Sequence, residues 1–129
     1  MSKERLVIIC PGRGSYTRET SNYLVNRKKE FNSFVGWIDE QRKISGRISI
    51  KELDSKQFKM KTHMPGENAS PLIYASSLND FLSIDKDSYE IVAITGNSMG
   101  WYTALALGGA VSFHDGYQLI QFMLSLIHI

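Results

Sequence analysis

Cysteine is nearly missing from this sequence: Cys10 is the only one among 129 residues. An internal disulfide framework is thereby excluded, and a reducing compartment fits. Long apolar runs are also missing, since none approaches the ~18 residues of a membrane-spanning helix. Charge imbalance is slight, at +2 for pH 7. That is too little to argue for nucleic acid, and no aromatic residues interleave with basic ones to stack bases. His63, His114 and His128 lack metal-ligand spacing and Cys10 stands alone, so neither a metal nor a resident cofactor is expected. Gly12-Arg13-Gly14-Ser15-Tyr16-Thr17 has threonine where a dinucleotide fingerprint needs its third glycine, and no P-loop lysine follows either glycine cluster. There is no internal repeat and no low-complexity segment.

The length suits one domain with one core. Lys3 and Arg5 precede the apolar run Leu6-Val7-Ile8-Ile9-Cys10. The run is shorter than the ~7–15 residues of a signal h-region and meets Pro11-Gly12 at once, so it reads as a strand. A cytoplasmic protein without membrane partners is expected. The continuous β-branched run predicts a central strand buried on both faces, as in a parallel sheet. Pro11 to Ser15 then reads as a tight loop. Thr17 is a candidate cap for a helix over residues 18–34, with Arg27, Lys28 and Lys29 on its solvated side. Phe31, Phe34, Val35 and Ile38 have helical spacing, and Ile48, Ile50 and Leu53 form a second short apolar face. Residues 54–70 read as loop or short helix. Their lysines, Lys56, Lys59 and Lys61, read as a solvated face, with a landing surface for an acidic partner as the sharper reading. Pro71 is predicted to open the next helix.

Ile91-Val92-Ala93-Ile94 is a second strand-like run, and a small-residue helix is predicted over residues 101–107, stopped by Gly108 and Gly109. Ser112 with Asp115 has the form of a capping box. The helix it opens aligns Phe113, Tyr117, Ile120, Leu124 and Ile127 on one face. Strand, helix, strand and helix in succession favour an α/β layer architecture.

Between the second strand and its helix lies Gly96-Asn97-Ser98-Met99-Gly100. This is the G-x-S-x-G pattern of a nucleophile elbow, in which a strand turns sharply into a helix and thrusts the serine out. The flanking glycines are needed because a Cβ there would meet neighbouring backbone. The helix start offers unpaired N–H groups to a developing oxyanion. The pentapeptide alone is a weak signal; its strand–turn–helix setting gives it weight. His114 reads as a capping-region histidine with no chemical role.

Two stretches resemble one family, the malonyl-CoA:acyl carrier protein transacylases. Pro11-Gly12-Arg13-Gly14-Ser15 is similar to that family's P-G-Q-G-S loop. Residues 96–105 resemble its G-H-S-L-G-E-Y-S-A-L segment, and residues 109–116 its G-A-L-S-F-E-D-A. Pro71-Leu72-Ile73-Tyr74-Ala75-Ser76 resembles the helix before the serine strand. The resemblance implies a parallel-sheet, α/β-hydrolase-like acyltransferase core, of which residues 1–129 would be the N-terminal part, without a second domain. It implies that Ser98 takes malonyl, or another acyl group, from coenzyme A and passes it to the thiol of acyl carrier protein in fatty-acid synthesis, by ping-pong covalent catalysis. The backbone N–H groups of Arg13 and Met99 would form the oxyanion hole, supported by Gly12, Gly14, Gly96, Asn97 and Gly100. Coenzyme A enters as substrate thioester.

The sequence departs from that pattern at several positions. Asn97 stands where the family has histidine, Trp101 where it has glutamate, and Met123 where its carboxylate-binding arginine would fall. Without that arginine the malonyl carboxylate loses a bidentate anchor, which leaves an uncharged acyl group open. No histidine after Ser98 matches the family's general base, so the chain is expected to be an inactive fragment on its own, with its last residues not native. Two alternatives share the elbow or its turn: a serine hydrolase or thioesterase, and a non-catalytic α/β interaction module.

Overall fold

A computed structural model describes residues 2–26 and 29–126. Among these residues the architecture is mixed α/β. Strands β1 (Glu4–Cys10) and β2 (Tyr89–Gly96) pair in parallel, from Glu4 with Tyr89 to Cys10 with Gly96, with one irregularity between Leu6 and Val7. The helices are α1 (Asn32–Ile44), α2 (Ile50–Ser55), α3 (Met60–His63), α4 (Gly66–Leu82), α5 (Gly100–Leu107) and α6 (Phe113–Ser125). Parallel pairing requires a crossover between the strands, and α1 to α4 supply it. No helix among the described residues is long and apolar enough to cross a membrane.

β1 is not buried on both faces. Val7 and Ile9 are 59% and 71% exposed, while Cys10 is buried and Leu6 and Ile8 are half-buried. The alternation has a simple cause: α5 packs across both strands on one side, and the other side has no covering layer among the described residues. An unbroken apolar run cannot reveal which of its faces is covered.

The predicted helix over residues 18–34 is replaced by short 3₁₀ turns at Arg18–Thr20, Tyr23–Asn26 and Lys29–Phe31, and α1 begins only at Asn32. A distant acceptor causes this. The buried carboxylate of Asp54 takes the N–H groups of Tyr23 and Leu24 at 3.0 and 2.9 Å, and Asn22 N–H donates to the Asp54 carbonyl at 2.9 Å. Those donors are diverted from local helical bonds, and Asn22 sits at φ 65° to make the turn. Arg27 and Lys28 lie outside the described residues; Lys29 is exposed. The spacing of Phe34, Val35 and Ile38 holds, and all three are buried on α1. Ile50 and Leu53 are buried on α2, which Ser49 caps by accepting from Glu52 N–H at 3.1 Å.

Pro71 does not open a helix: α4 starts five residues earlier, at Gly66. The missing proline N–H would have served the carbonyl of Glu67, four residues back. That carbonyl instead accepts from Arg42 Nη1 at 2.9 Å and from Gln121 Nε2 at 3.3 Å. Arg42 is fully buried and faces no carboxylate at bonding distance. Its other donors reach the Ile48 carbonyl at 2.6 Å, Gln121 Oε1 at 2.7 Å and Asn68 Oδ1 at 2.6 Å. One side chain therefore ties α1 to α4 and α6. Burial pulls its pKa down, yet the surrounding oxygens hold the cation in place.

α5 and α6 follow the sequence reading closely. Ser112 accepts from Asp115 N–H at 3.0 Å and caps α6, whose Tyr117, Ile120 and Leu124 are buried. Ile127 lies outside the described residues. Because Arg42 is surrounded by oxygens and not by apolar groups, Arg42→Ala would strand several buried acceptors. It is expected to lower unfolding stability by about 3 kcal/mol or more, measured by chemical denaturation. A loss within about 0.5 kcal/mol would show that water replaces the guanidinium freely.

Candidate active site

β2 ends at Gly96 and α5 begins at Gly100, so the turn between them is Asn97-Ser98-Met99. Ser98 is exposed and has φ 55°, in the left-handed region that a non-glycine residue seldom adopts. Local bonds lock it there: Gly100 N–H donates to the Asn97 carbonyl at 2.9 Å and Trp101 N–H to the Ser98 carbonyl at 3.2 Å. A strained serine between a strand and a helix is the backbone signature of an elbow.

The two glycines are required by contact. A Cβ on Gly96 would collide with the carbonyl of Gly100 and the nitrogen of Trp101. One on Gly100 would collide with the Cys10 carbonyl and come within 2.9 Å of the Pro11 oxygen. The start of α5 thus rests directly on the end of β1, where Asn97 N–H also donates to the Cys10 carbonyl at 3.1 Å.

That contact brings the glycine loop to the serine. A Cβ on Gly12 would lie 2.9 Å from the Asn97 carbonyl oxygen and 3.2 Å from Ser98 Cβ. Gly14 has φ 103°, a conformation suited to glycine, and so turns the loop away after Arg13. Arg13 is exposed and Met99 is buried, and neither backbone N–H donates to a protein acceptor among the described residues. Asn97 is exposed beside the loop, its Nδ2 3.4 Å from the Gly12 Cβ position.

Sequence reasoning missed what holds the far end of this loop. Tyr16 is buried, stacks on His63 with ring centroids 6.2 Å apart, and donates its hydroxyl to Asp54 at 2.7 Å. Burial and the neighbouring carboxylate push the Tyr16 pKa well above the usual phenol value, so the hydroxyl remains a donor. No local signal marks this pair, because its partners are 38 residues apart. A cleft of about 170 Å³ borders the loop, lined by Pro11, Ser15, Tyr16, Tyr23 and Asp80 among others; Ser98 is not one of its walls.

The histidines are occupied elsewhere. His63 has Nε2 2.8 Å from the Leu53 carbonyl and Nδ1 3.0 Å from Lys59 N. His114 is exposed on α6 and packs edge-on against Trp37, centroids 4.4 Å apart. His128 lies outside the described residues. Ser98 Oγ has no hydrogen-bond partner among the described residues, so nothing there draws off its proton. Cys10 is buried, and that burial pushes its thiol pKa up, away from the thiolate form.

No protein-family model matches this chain, and no curated protein matches it significantly.

The strain at Ser98 yields a direct test. Glycine relieves a left-handed conformation that alanine keeps, so Ser98→Gly should be more stable than Ser98→Ala by about 1 kcal/mol in denaturant melts. Equal stability would mean that the residue relaxes out of the elbow conformation.

Proposed function

We propose that this chain carries the nucleophile and oxyanion site of an acyltransferase similar to malonyl-CoA:acyl carrier protein transacylases, on an α/β-hydrolase-like core. One observation supports it above the others: a serine at φ 55° between strand and helix, with a separate glycine loop against its Cβ. Both halves of the resemblance meet at that point, although more than eighty residues separate them.

In this reading Ser98 Oγ attacks the thioester carbonyl carbon of malonyl-CoA. The carbon–oxygen bond forms as the negative charge moves to the carbonyl oxygen, which accepts from the N–H groups of Arg13 and Met99. Collapse breaks the carbon–sulfur bond, and coenzyme A leaves as a thiol after taking up a proton. The phosphopantetheine thiol of acyl carrier protein then attacks the serine ester, forming a new thioester and returning the serine its proton. Each oxyanion donor is typically worth ~3 kcal/mol in the transition state. Main-chain donors tolerate the arginine in place of glutamine at position 13. The setting inferred from the resemblance is cytoplasmic fatty-acid synthesis.

Proton transfer is the step that the described residues leave unserved. A positioned base contributes roughly 10²–10⁴-fold, and Ser98 has none beside it. Purified chain is therefore expected not to sustain turnover of acyl carrier protein. Incubation with malonyl-CoA should instead give slow, stoichiometric acylation, seen as a mass gain at Ser98 that is absent from Ser98→Ala. Added imidazole should accelerate it several-fold by supplying the missing base. An acyl-enzyme that passes its group to carrier thiol supports the transferase, and one that releases free acid supports a hydrolase. No mass gain at any imidazole concentration would overturn both and leave a non-catalytic module.

A further inference from the structure

Four consecutive residues, Ile8, Ile9, Cys10 and Pro11, line one side of a cleft of about 240 Å³. Side chains on one face of a strand recur at every second residue, so an unbroken run of wall residues means that the cleft follows the strand's edge. No residue of β2 lines it, which makes this the edge turned away from β2. Among the described residues β1 pairs with no strand but β2. The Cys10 carbonyl accepts from Asn97 N–H at 3.1 Å, on the β2 side. Alternation along the strand then turns the N–H and C=O groups of Val7 and Ile9 to the open edge.

The cleft has an apolar side, formed by Phe81 of α4, Ile84 just after it and Leu107 of α5. It continues into the cleft beside the glycine loop, since Pro11, Ser77 and Asp80 line both. Asp80 is the one charged residue lining either. It is exposed, accepts the Tyr23 hydroxyl at 2.7 Å and forms no ion pair with a described residue. Lys86 lies over the Phe81 ring at 5.1 Å and is a wall of neither cleft. An open strand edge is a template for pairing, and proteins commonly blunt such edges with charge or proline. Residues 6–10 contain neither.

We propose that the free edge of β1 takes an extended segment of a partner protein as a third strand, with a basic side chain of that segment paired to Asp80. Main-chain hydrogen bonds to Val7 and Ile9 supply affinity whatever the sequence. Alternate side chains of the added strand meet Phe81, Ile84 and Leu107 and favour apolar residues, while Asp80 favours a cation near Pro11. A second copy pairing through the same edge would bring its α5 along with its β1, and α4 already borders that space. The occupant is therefore a single strand without a helix layer of its own. The proposal does not depend on the acyl-transfer reading of Ser98.

The probe is a fluorescein-labelled, amidated peptide of alternating valine and threonine with lysine at both ends, titrated with the chain and read by anisotropy. Saturable binding is expected. N-methylation of the interior amides should abolish it, because it removes the donors of a third strand. Glutamate in place of both lysines should weaken binding several-fold, and Asp80→Asn should bring the two affinities to within about twofold of each other. Ile9→Pro removes a donor from the open edge and none from the β2 side, so it should weaken both peptides while circular dichroism stays unchanged. If that variant fails to fold, the N-methylated peptide carries the same test. No saturable binding, equal binding of the N-methylated peptide, or a lysine preference that Asp80→Asn leaves unchanged overturns the proposal. A chain that sediments as a dimer until Ile9→Pro separates it also overturns it, since the edge then belongs to a second copy.

Discussion

The site depends on a contact between two pieces of bare backbone. Where α5 leaves the elbow, Gly100 lies so close to the carbonyls of Cys10 and Pro11 that no side chain fits between them. β1 therefore cannot end elsewhere, and the loop that follows it cannot avoid Ser98. The proximity of Gly12 to Ser98 accompanies that approach, while bonds within the turn hold the left-handed serine. Glycine at 96 and 100 is needed for the chain to come this close, and not for flexibility. A rigid arrangement of this kind suits oxyanion stabilisation, because the donors need no reorganisation when charge develops.

In the proposed reading, Ser98 separates two requirements that a nucleophile must meet. Shape is met locally: strain, exposure and donors come from a few residues around two turns. Proton handling is not, because it needs a side chain whose ring or carboxylate arrives from another element. Both described histidines are held by other partners, one by the backbone of α2 and the residue before α3, the other by an aromatic cluster. A geometry suited to attack and a means of activating the attacker are thus independent properties of the polypeptide.

The features legible in the sequence are those fixed by short-range sterics. The strand–turn–helix bend at Ser98, the Ser112 cap and the burial of Tyr117, Ile120 and Leu124 on α6 depend on residues within a turn or two of each other, and they stand where the pattern put them. The misread segments are those governed by partners far along the chain. Residues 18–34 have helical composition, but the Asp54 carboxylate claims their N–H groups. Pro71 looks like a helix start, but Arg42 and Gln121 satisfy the carbonyl it orphans, so the helix runs through it. The β1 run suggested cover on both faces, whereas only one side is packed. Within the candidate site, Ser98 and the glycines could be read directly. The Tyr16–Asp54 anchor could not, since it has no periodic or motif signature.

The buried guanidinium of Arg42 has a consequence for how the molecule comes apart. It links α1, α4 and α6 through a carbonyl left vacant by a proline, so none of the three helices can detach without exposing the others' acceptors. Those helices should open as a single cooperative unit, their amides exchanging with solvent at one common free energy. The two-stranded sheet, half uncovered, lacks such a clasp. What holds it is the close approach of Gly100 to the end of β1, so the molecule has two independent fastenings, one of side-chain donors and one of bare backbone.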